Sequence, residues 1–330
     1  MSDKKQKEQL THKTSVGGQA LIEGIMMQGP KGAAVSVRLP DGTIDTEMKQ
    51  VKHVKDKIKI LGWPILRGPV AFVESMIFGY QCLMLSAEKS GLEDMDMEED
   101  KMSKLDKWLN DHMSKKFMNV LTGFASVLGV LLAMVLFMYL PTVVTNFFNR
   151  LADGALTNWR ALIEGIMRMV IFVLYIALCS LMKDIKRTFM YHGAEHKTIF
   201  CYEHGLELTT ENVRKQSRFH PRCGTSFMFV MIIISVIVSS VISVAFPGLR
   251  DNTAIWMIIK LLILPLVMGL GYEFIKYAGR HENLLVRILS APGLWMQRLT
   301  TKEPDDSMIE VAITAFKAVI TDDPKDDEIG

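Results

Sequence analysis

Several familiar signatures are missing from this 330-residue chain. Its four cysteines, Cys82, Cys179, Cys201 and Cys223, form no Cys-x-x-Cys pair and no dense framework, which excludes a disulfide scaffold and fits a reducing, cytosol-facing chain. Net charge is nearly absent, with 38 basic against 36 acidic side chains, so no overall field draws the chain to nucleic acid. The head, residues 1–18, is polar and basic with no apolar stretch behind it, unlike a cleaved secretion signal. Gly17-Gly18-Gln19 reads as a flexible turn, and no Walker, dinucleotide, kinase or Ser/His/Asp pattern accompanies it.

What the chain has in quantity is apolar surface: 49% hydrophobic residues, 23 of them Met, and a mean hydropathy of +0.20. The apolar residues are segregated. Phe117 to Asn149 is 33 residues without a charge and Cys223 to Leu249 another 27. Both exceed the roughly 18 to 20 residues that cross a bilayer as a helix. Ala161 to Met182 and Thr253 to Tyr272 are further candidates, carrying Glu164, Arg168 and Lys260. The methionines suit core filling better than copper binding.

The segment 88–116 carries six Lys and Arg, the loop 183–222 eight and the stretch 276–287 three, whereas the opposite loops carry only Arg150, Arg160 and Arg250. The positive-inside rule therefore places both termini and the long central loop in the cytoplasm, with four spans near 118–141, 161–182, 226–247 and 253–273. Residues 1–60 form an N-terminal cytoplasmic segment in which 32–51, around Pro40-Asp41-Gly42, reads as a β-hairpin. Residues 61–87 hold an apolar stretch with Glu74 inside it, read as an interfacial or re-entrant helix because a fifth span would break the charge parity. Residues 88–116 are a charged linker with six acids in Glu93 to Asp100, and 276–330 are cytoplasmic amphipathic helices ending in an acidic tail. The expected class is a mainly α, polytopic membrane protein with a small hairpin on its cytoplasmic side. Ala-Leu-Ile-Glu-Gly-Ile-Met occurs twice, at 20–26 and 161–167, with no similarity beyond it.

The segment richest in chemistry is Tyr191-His-Gly-Ala-Glu-His-Lys197 in the central loop. His192 and His196, four apart on a helix, share a face and can grip one metal ion, while Glu195 beside them is a candidate general base. His220 and Cys223, just before the chain re-enters the membrane, offer further ligands on the same side, and an N/S donor set prefers zinc among divalent ions. The bland alternative is a cluster of interfacial polar side chains bonded to one another. Glu23, Glu74, Glu164 and Glu273 form a second set, carboxylates inside apolar stretches and so candidates for membrane depth. Arg168 lies one turn from Glu164 and Lys276 near Glu273, which suggests structural ion pairs; Glu23 and Glu74 lack such a neighbour.

Five motifs occur in order: Gly17 to Pro30, Arg67-Gly-Pro, His192 to Lys197, Phe219 to Ser226 and Ala291 to Pro304. Together they resemble the YqhQ family of bacterial membrane proteins, a domain of unknown function described as a predicted metal-dependent enzyme. The resemblance implies a multi-pass protein of the bacterial cytoplasmic membrane, with the family's motifs falling on His192, Glu195, His196, His220 and Cys223. Two functions are then expected to compete: a metal-dependent hydrolase acting on a membrane-associated peptide or lipid, and a non-enzymatic factor for assembly, transport or pore formation with a structural metal. The implied partners are the bilayer and either further copies of the chain or other membrane proteins, not nucleic acid.

Overall fold

The computed structural model describes residues 12–51, 53–91, 115–250, 252–281 and 283–329. The acidic run expected at Glu93 to Asp100 lies outside them. Four strands, β1 (Gly17–Leu21), β2 (Gly24–Gly29), β3 (Gly32–Arg38) and β4 (Ile44–Lys49), pair in chain order as one antiparallel sheet. The expected hairpin is present as β3 and β4. Gly42 supplies a positive φ of 86°, and Asp41 Oδ1 accepts from the Thr43 N–H at 2.9 Å, closing the turn.

Strands β1 and β2 are an addition to the sequence reading, and Gly17 to Gln19 belong to a strand rather than a flexible turn. β2, in particular, is buried on both faces. Ile25, Met27 and Ala34 join one core cluster, while Leu21, Met26, Ala33, Val35 and Val37 join another on the opposite face. A strand covered on both sides loses the apolar-polar alternation that identifies it.

Helix α1 (Arg67–Lys89) covers the second of these faces through Cys82, Phe78 and Leu83, and its far end is tied down by Lys89 Nζ donating to Asp45 and Glu47 of β4. A continuous apolar helix follows, α2 (Lys115–Met134) passing through a π-turn at Val135–Tyr139 into α3 (Leu140–Leu151). A tight turn at Asp153 and Gly154, both with positive φ, leads to α4 (Arg160–Cys179). The chain then breaks before α5 (Lys183–Glu203), which carries the His/Glu/His motif, and the short α6 (Thr210–Arg214). Helices α7 (Gly224–Ala245) and α8 (Thr253–Arg280) form an antiparallel pair; α9 (Leu284–Thr300) and α10 (Asp306–Val319) follow. Asn252, Asn283 and Asp305 cap the last three by accepting backbone N–H groups.

Five described helices are long and apolar enough to cross a membrane: Arg67–Lys89, Gly123–Leu151, Thr157–Cys179, Met228–Ala245 and Thr253–Arg280. Many of their large side chains, such as Phe124, Val127, Leu132, Leu178 and Val244, are exposed, as lipid-facing surfaces require. The protein is thus a helical membrane protein with a small antiparallel sheet. The sheet domain is separate from the apolar helices: α5 and α10 pack together over the first face of the sheet. Helix α1 bridges the two regions. Its N-terminal end crosses α8 so closely at Gly68 that an added Cβ would meet Gly269 Cα at 2.7 Å.

The four carboxylates named from the sequence are all paired. Glu164 is gripped by Lys260, by Arg168 at 3.3 Å and by Arg250 at 3.8 Å, and Lys260 also donates to Thr142 Oγ1 at 2.5 Å. Arg168 reaches Ser235 at 3.1 Å, so one carboxylate ties together α3, α4, α7 and α8. Glu273 takes Arg67, not the expected Lys276, as its main partner, with Nε to Oε1 at 2.7 Å and Nη2 to Oε2 at 2.5 Å. Glu74 accepts from the Val54 N–H at 2.6 Å and meets His53 at 3.0 Å. Glu23 is not at membrane depth: it occupies the β1–β2 turn with φ 49°, where Arg187 binds it in bidentate fashion and Tyr191 donates to it at 3.2 Å. The acidic tail expected beyond Asp322 is held in place, because Asp327 is buried and accepts from Thr14 and His12.

Removing one carboxylate from among two buried cations and the half-buried Arg168 leaves them uncompensated, so Glu164→Ala is expected to lower stability by about 3 to 5 kcal/mol. Breaking the exposed Arg218–Glu303 pair by Arg218→Gln should cost below about 1 kcal/mol. Thermal unfolding in detergent compares the two; equal midpoints would remove Glu164 from its structural role.

Candidate metal centre

Helix α5 places His192 and His196 one turn apart on one face, with ring centroids separated by 4.4 Å. The helix is packed to backbone contact at this point. A Cβ on Gly193 would lie 2.0 Å from the Lys302 carbonyl oxygen, so only glycine allows the 300–304 segment to pass. That close passage delivers the Thr300 carbonyl to His192 Nδ1 at 2.9 Å. On the other side the Arg218 carbonyl meets His196 Nδ1 at 2.6 Å. A carbonyl oxygen only accepts, so both Nδ1 atoms carry the proton and both Nε2 atoms present lone pairs. This is the arrangement in which imidazoles ligate metals, with the outer nitrogen anchored on a carbonyl.

The third donor comes from the turn His220-Pro-Arg-Cys223, closed by the Cys223 N–H donating to the His220 carbonyl at 3.3 Å. Cys223 is the N-cap residue of α7, and its Sγ lies 3.3 Å from His192 Nε2. Ligating atoms of His192, His196 and Cys223 all lie within 4.8 Å of one another. His196 is buried, whereas His192 and Cys223 are half-buried, so the cluster is reachable from one side.

The structure separates His220 from this set. Its Nδ1 accepts from the Arg222 N–H at 3.3 Å, which leaves Nε2–H to donate to Glu203 at 3.4 Å. Burial, opposed by Glu203, pushes its pKa down to about 4. Its backbone is clamped by Gln297, whose amide both accepts from the His220 N–H and donates to the His220 carbonyl at 2.7 Å. His220 therefore builds the turn that carries Cys223, while its ring packs on Phe200 and His196.

Glu203 and Gln297 went unread in the sequence. A signal was available for Glu203, which lies seven residues after His196 and thus two helical turns along the same face. Lys197, buried, donates to the Arg214 carbonyl at 2.9 Å and pairs with Glu303 at 2.8 Å, which makes it a fastening of α5.

Glu195 is buried beside β1. It accepts from the Gly18 N–H, and its Oε2 is buried with no hydrogen-bond partner. Burial pushes its pKa above the ordinary carboxylate value, against the pull of nearby His192 and of the Gly18 donor. A Cβ at Gly18 would stand 3.1 Å from the Glu195 carboxyl carbon and 2.6 Å from the Met26 carbonyl, so β1 approaches the helix closely only because it has glycine there. The four membrane-depth candidates named from sequence, with Arg168, lie in other clusters: Glu23 in its turn, Glu74 with His53, Glu164 with Arg168, and Glu273 with Arg67.

These features define a helical membrane protein in which α5 and the turn before α7 bring together two imidazoles and a thiol, with a buried carboxylate on α5. A family model described as "Protein of unknown function (DUF1385)" matches residues 63–322. The chain is also 33% identical over 310 residues, 92% of each chain, to the "Uncharacterized protein YqhQ" of Bacillus subtilis (strain 168). The protein belongs to this family. No solved structure matches it. Neither description states an activity or a metal, so the chemistry has to be argued from the site itself.

Purified wild-type protein is expected to carry about one zinc per chain, and the His192→Ala/His196→Ala variant almost none. His220→Asn should keep the metal yet unfold more easily, by roughly 1 to 3 kcal/mol, because Glu203 is left short of a donor. Elemental analysis beside thermal melts checks both; metal loss in His220→Asn alone would place His220 among the ligands.

Proposed function

We propose that this protein is a metal-dependent hydrolase whose site lies at the cytoplasmic surface of the membrane and acts on a membrane-associated substrate. The observation that carries this reading is the convergence of one ligating atom each from His192, His196 and Cys223 within 4.8 Å, with both imidazole tautomers set for ligation by the Thr300 and Arg218 carbonyls. Those three atoms would hold the ion. A divalent metal bound there supplies a Lewis acid that polarises a carbonyl or phosphoryl oxygen and acidifies water.

Glu195 is the proton carrier. Its unpartnered Oε2 is the atom on which a proton is held, and its raised pKa brings it nearer the range in which a carboxylate both takes and returns protons at neutral pH. The carbonyls of Thr300 and Arg218 keep the rings from rotating, and the Gly18 N–H fixes the other end of the Glu195 carboxylate. A purely structural metal staple would use the same three donors but leaves the buried, half-satisfied Glu195 unexplained, since such groups are costly unless they serve a purpose.

The topology we propose has four spans, α2–α3, α4, α7 and α8, with α1 lying at the cytoplasmic interface. The partners of α1 support this. Its C-terminal half packs on the sheet, where Gln19 donates to the Gly79 carbonyl at 3.5 Å and Ser86 Oγ accepts from the Ile22 N–H at 3.2 Å. An even number of spans then leaves both termini and the metal centre in the cytoplasm, in line with the excess of Lys and Arg in those segments.

Glu195→Gln should keep its metal while turnover falls by about 10²- to 10⁴-fold. Metal content and hydrolysis of membrane substrates, measured on one preparation, test this; undiminished turnover would end the role given to Glu195. A reporter fused after Asp153 is expected to signal the extracytoplasmic side, and a cytoplasmic signal would overturn the topology.

A further inference from the structure

A cavity of about 1050 Å³ opens where α7 begins and α8 ends, and Cys223 forms part of its wall. Its position is the level at which the apolar helices give way to the sheet domain, so in a bilayer it lies among lipid headgroups. The lining is of two kinds. Among the described residues Lys13, Arg222, Lys276, Arg280 and Arg287 contribute five cations to the lining and Glu328 a carboxylate. Val230, Ile275, Val286 and Leu294 contribute an apolar wall.

Not all of the cations are available. Arg222 is committed to Glu203, and Lys276 lies near Glu273. Arg280 and Arg287, by contrast, are exposed into the cavity and form no ion pair among the described residues. Arg280 comes from the last turn of α8 and Arg287 from the first turn of α9, so two helices each contribute an arginine to the lining of one space. Planar guanidinium groups are matched by the paired oxygens of phosphate, and a basic pocket at the cytoplasmic end of membrane helices attracts anionic headgroups. The apolar wall beside them suits the first carbons of a chain.

We infer that this cavity binds the phosphate headgroup of an anionic membrane amphiphile, with Arg280 and Arg287 on the phosphate and its chain along Val230 and Leu294. The same cavity reaches Cys223, so the bound headgroup is presented to the candidate metal centre. The inference thereby names the substrate class of the proposed hydrolase and rests on that reading for any reaction, though the binding does not depend on a metal.

The test uses the full chain in detergent with fluorescent phosphatidic acid, fluorescent phosphatidylcholine and inorganic phosphate as probes. Phosphatidic acid is expected to bind at least tenfold more tightly than phosphatidylcholine, and Arg280→Gln/Arg287→Gln to weaken it by roughly twenty- to thirty-fold. Arg280→Lys/Arg287→Lys should recover part of the loss. Inorganic phosphate should displace the lipid only at far higher concentration. Equal affinity for the two lipids, or unchanged binding in the glutamine variant with its melting midpoint preserved, would overturn the inference. Displacement by free phosphate at concentrations matching the lipid would also overturn it, since the ligand would then be a soluble anion. The His192→Ala/His196→Ala variant separates this from the metal reading: it should keep its lipid preference even where metal is lost, and the glutamine variant should keep its metal.

Discussion

Glu203 is fully buried, and a carboxylate in such a place has to be neutralised and hydrogen-bonded or the fold pays heavily for it. Two separate stretches of chain meet that demand. Arg222 and His220 reach it from the turn before α7, and the Thr14 N–H donates to it at 3.0 Å from the segment before β1. Burial alone would raise its pKa, yet the His220 and Arg222 contacts outweigh this and hold the carboxyl below its ordinary value. The consequence is geometric. Glu203 closes α5, His192 and His196 lie on that helix, and the turn that Glu203 anchors ends in Cys223. The thiol meets the imidazoles because the carboxylate two turns away fixes where the turn must be.

A second constraint operates across the membrane boundary. The sheet domain is fastened to the apolar helices by α1 crossing α8 at Gly68 and Gly269, by α9 packed on α7, and by Gln297 clamping His220. Helix α9 shows how this works at the interface. Leu284, Leu285, Ile288 and Trp295 stay exposed on one side, while Val286, Met296 and Gln297 are buried on the other, so the helix offers one face to lipid and one to protein. The candidate metal centre and the cavity beside it share that level of the structure.

The apolar spans were legible because hydropathy and length report a bilayer directly, as was the 32–51 hairpin with its Asp-Gly turn. The four candidate ligands could also be named, since His-x-x-Glu-His and His-Pro-Arg-Cys are local patterns. Which of His220 and Cys223 comes within reach of the two imidazoles was not legible, because it depends on Glu203 and on Gln297, 77 residues further along the chain, which claim His220 first. The repeated heptapeptide makes the same point more sharply. Ala20 to Met26 forms strand, turn and strand, whereas the identical Ala161 to Met167 lies within helix α4. The first copy pairs with β3 and has Arg187 to hold Glu23 at positive φ; the second has its Glu164 drawn into a cluster of cations between helices. Local propensity is a weak prior beside such partners. Different structures for the two copies also remove any reason to read them as a duplication.

The account depends most on the claim that His192, His196 and Cys223 ligate one metal ion. The X-ray absorption spectrum at the zinc edge of protein purified from the membrane addresses it directly. Two imidazole nitrogens at about 2.0 to 2.1 Å and one sulfur at about 2.3 Å, with the sulfur contribution lost in Cys223→Ser, are the expected result. A spectrum with only nitrogen and oxygen donors, or with zinc unchanged by that substitution, would contradict it.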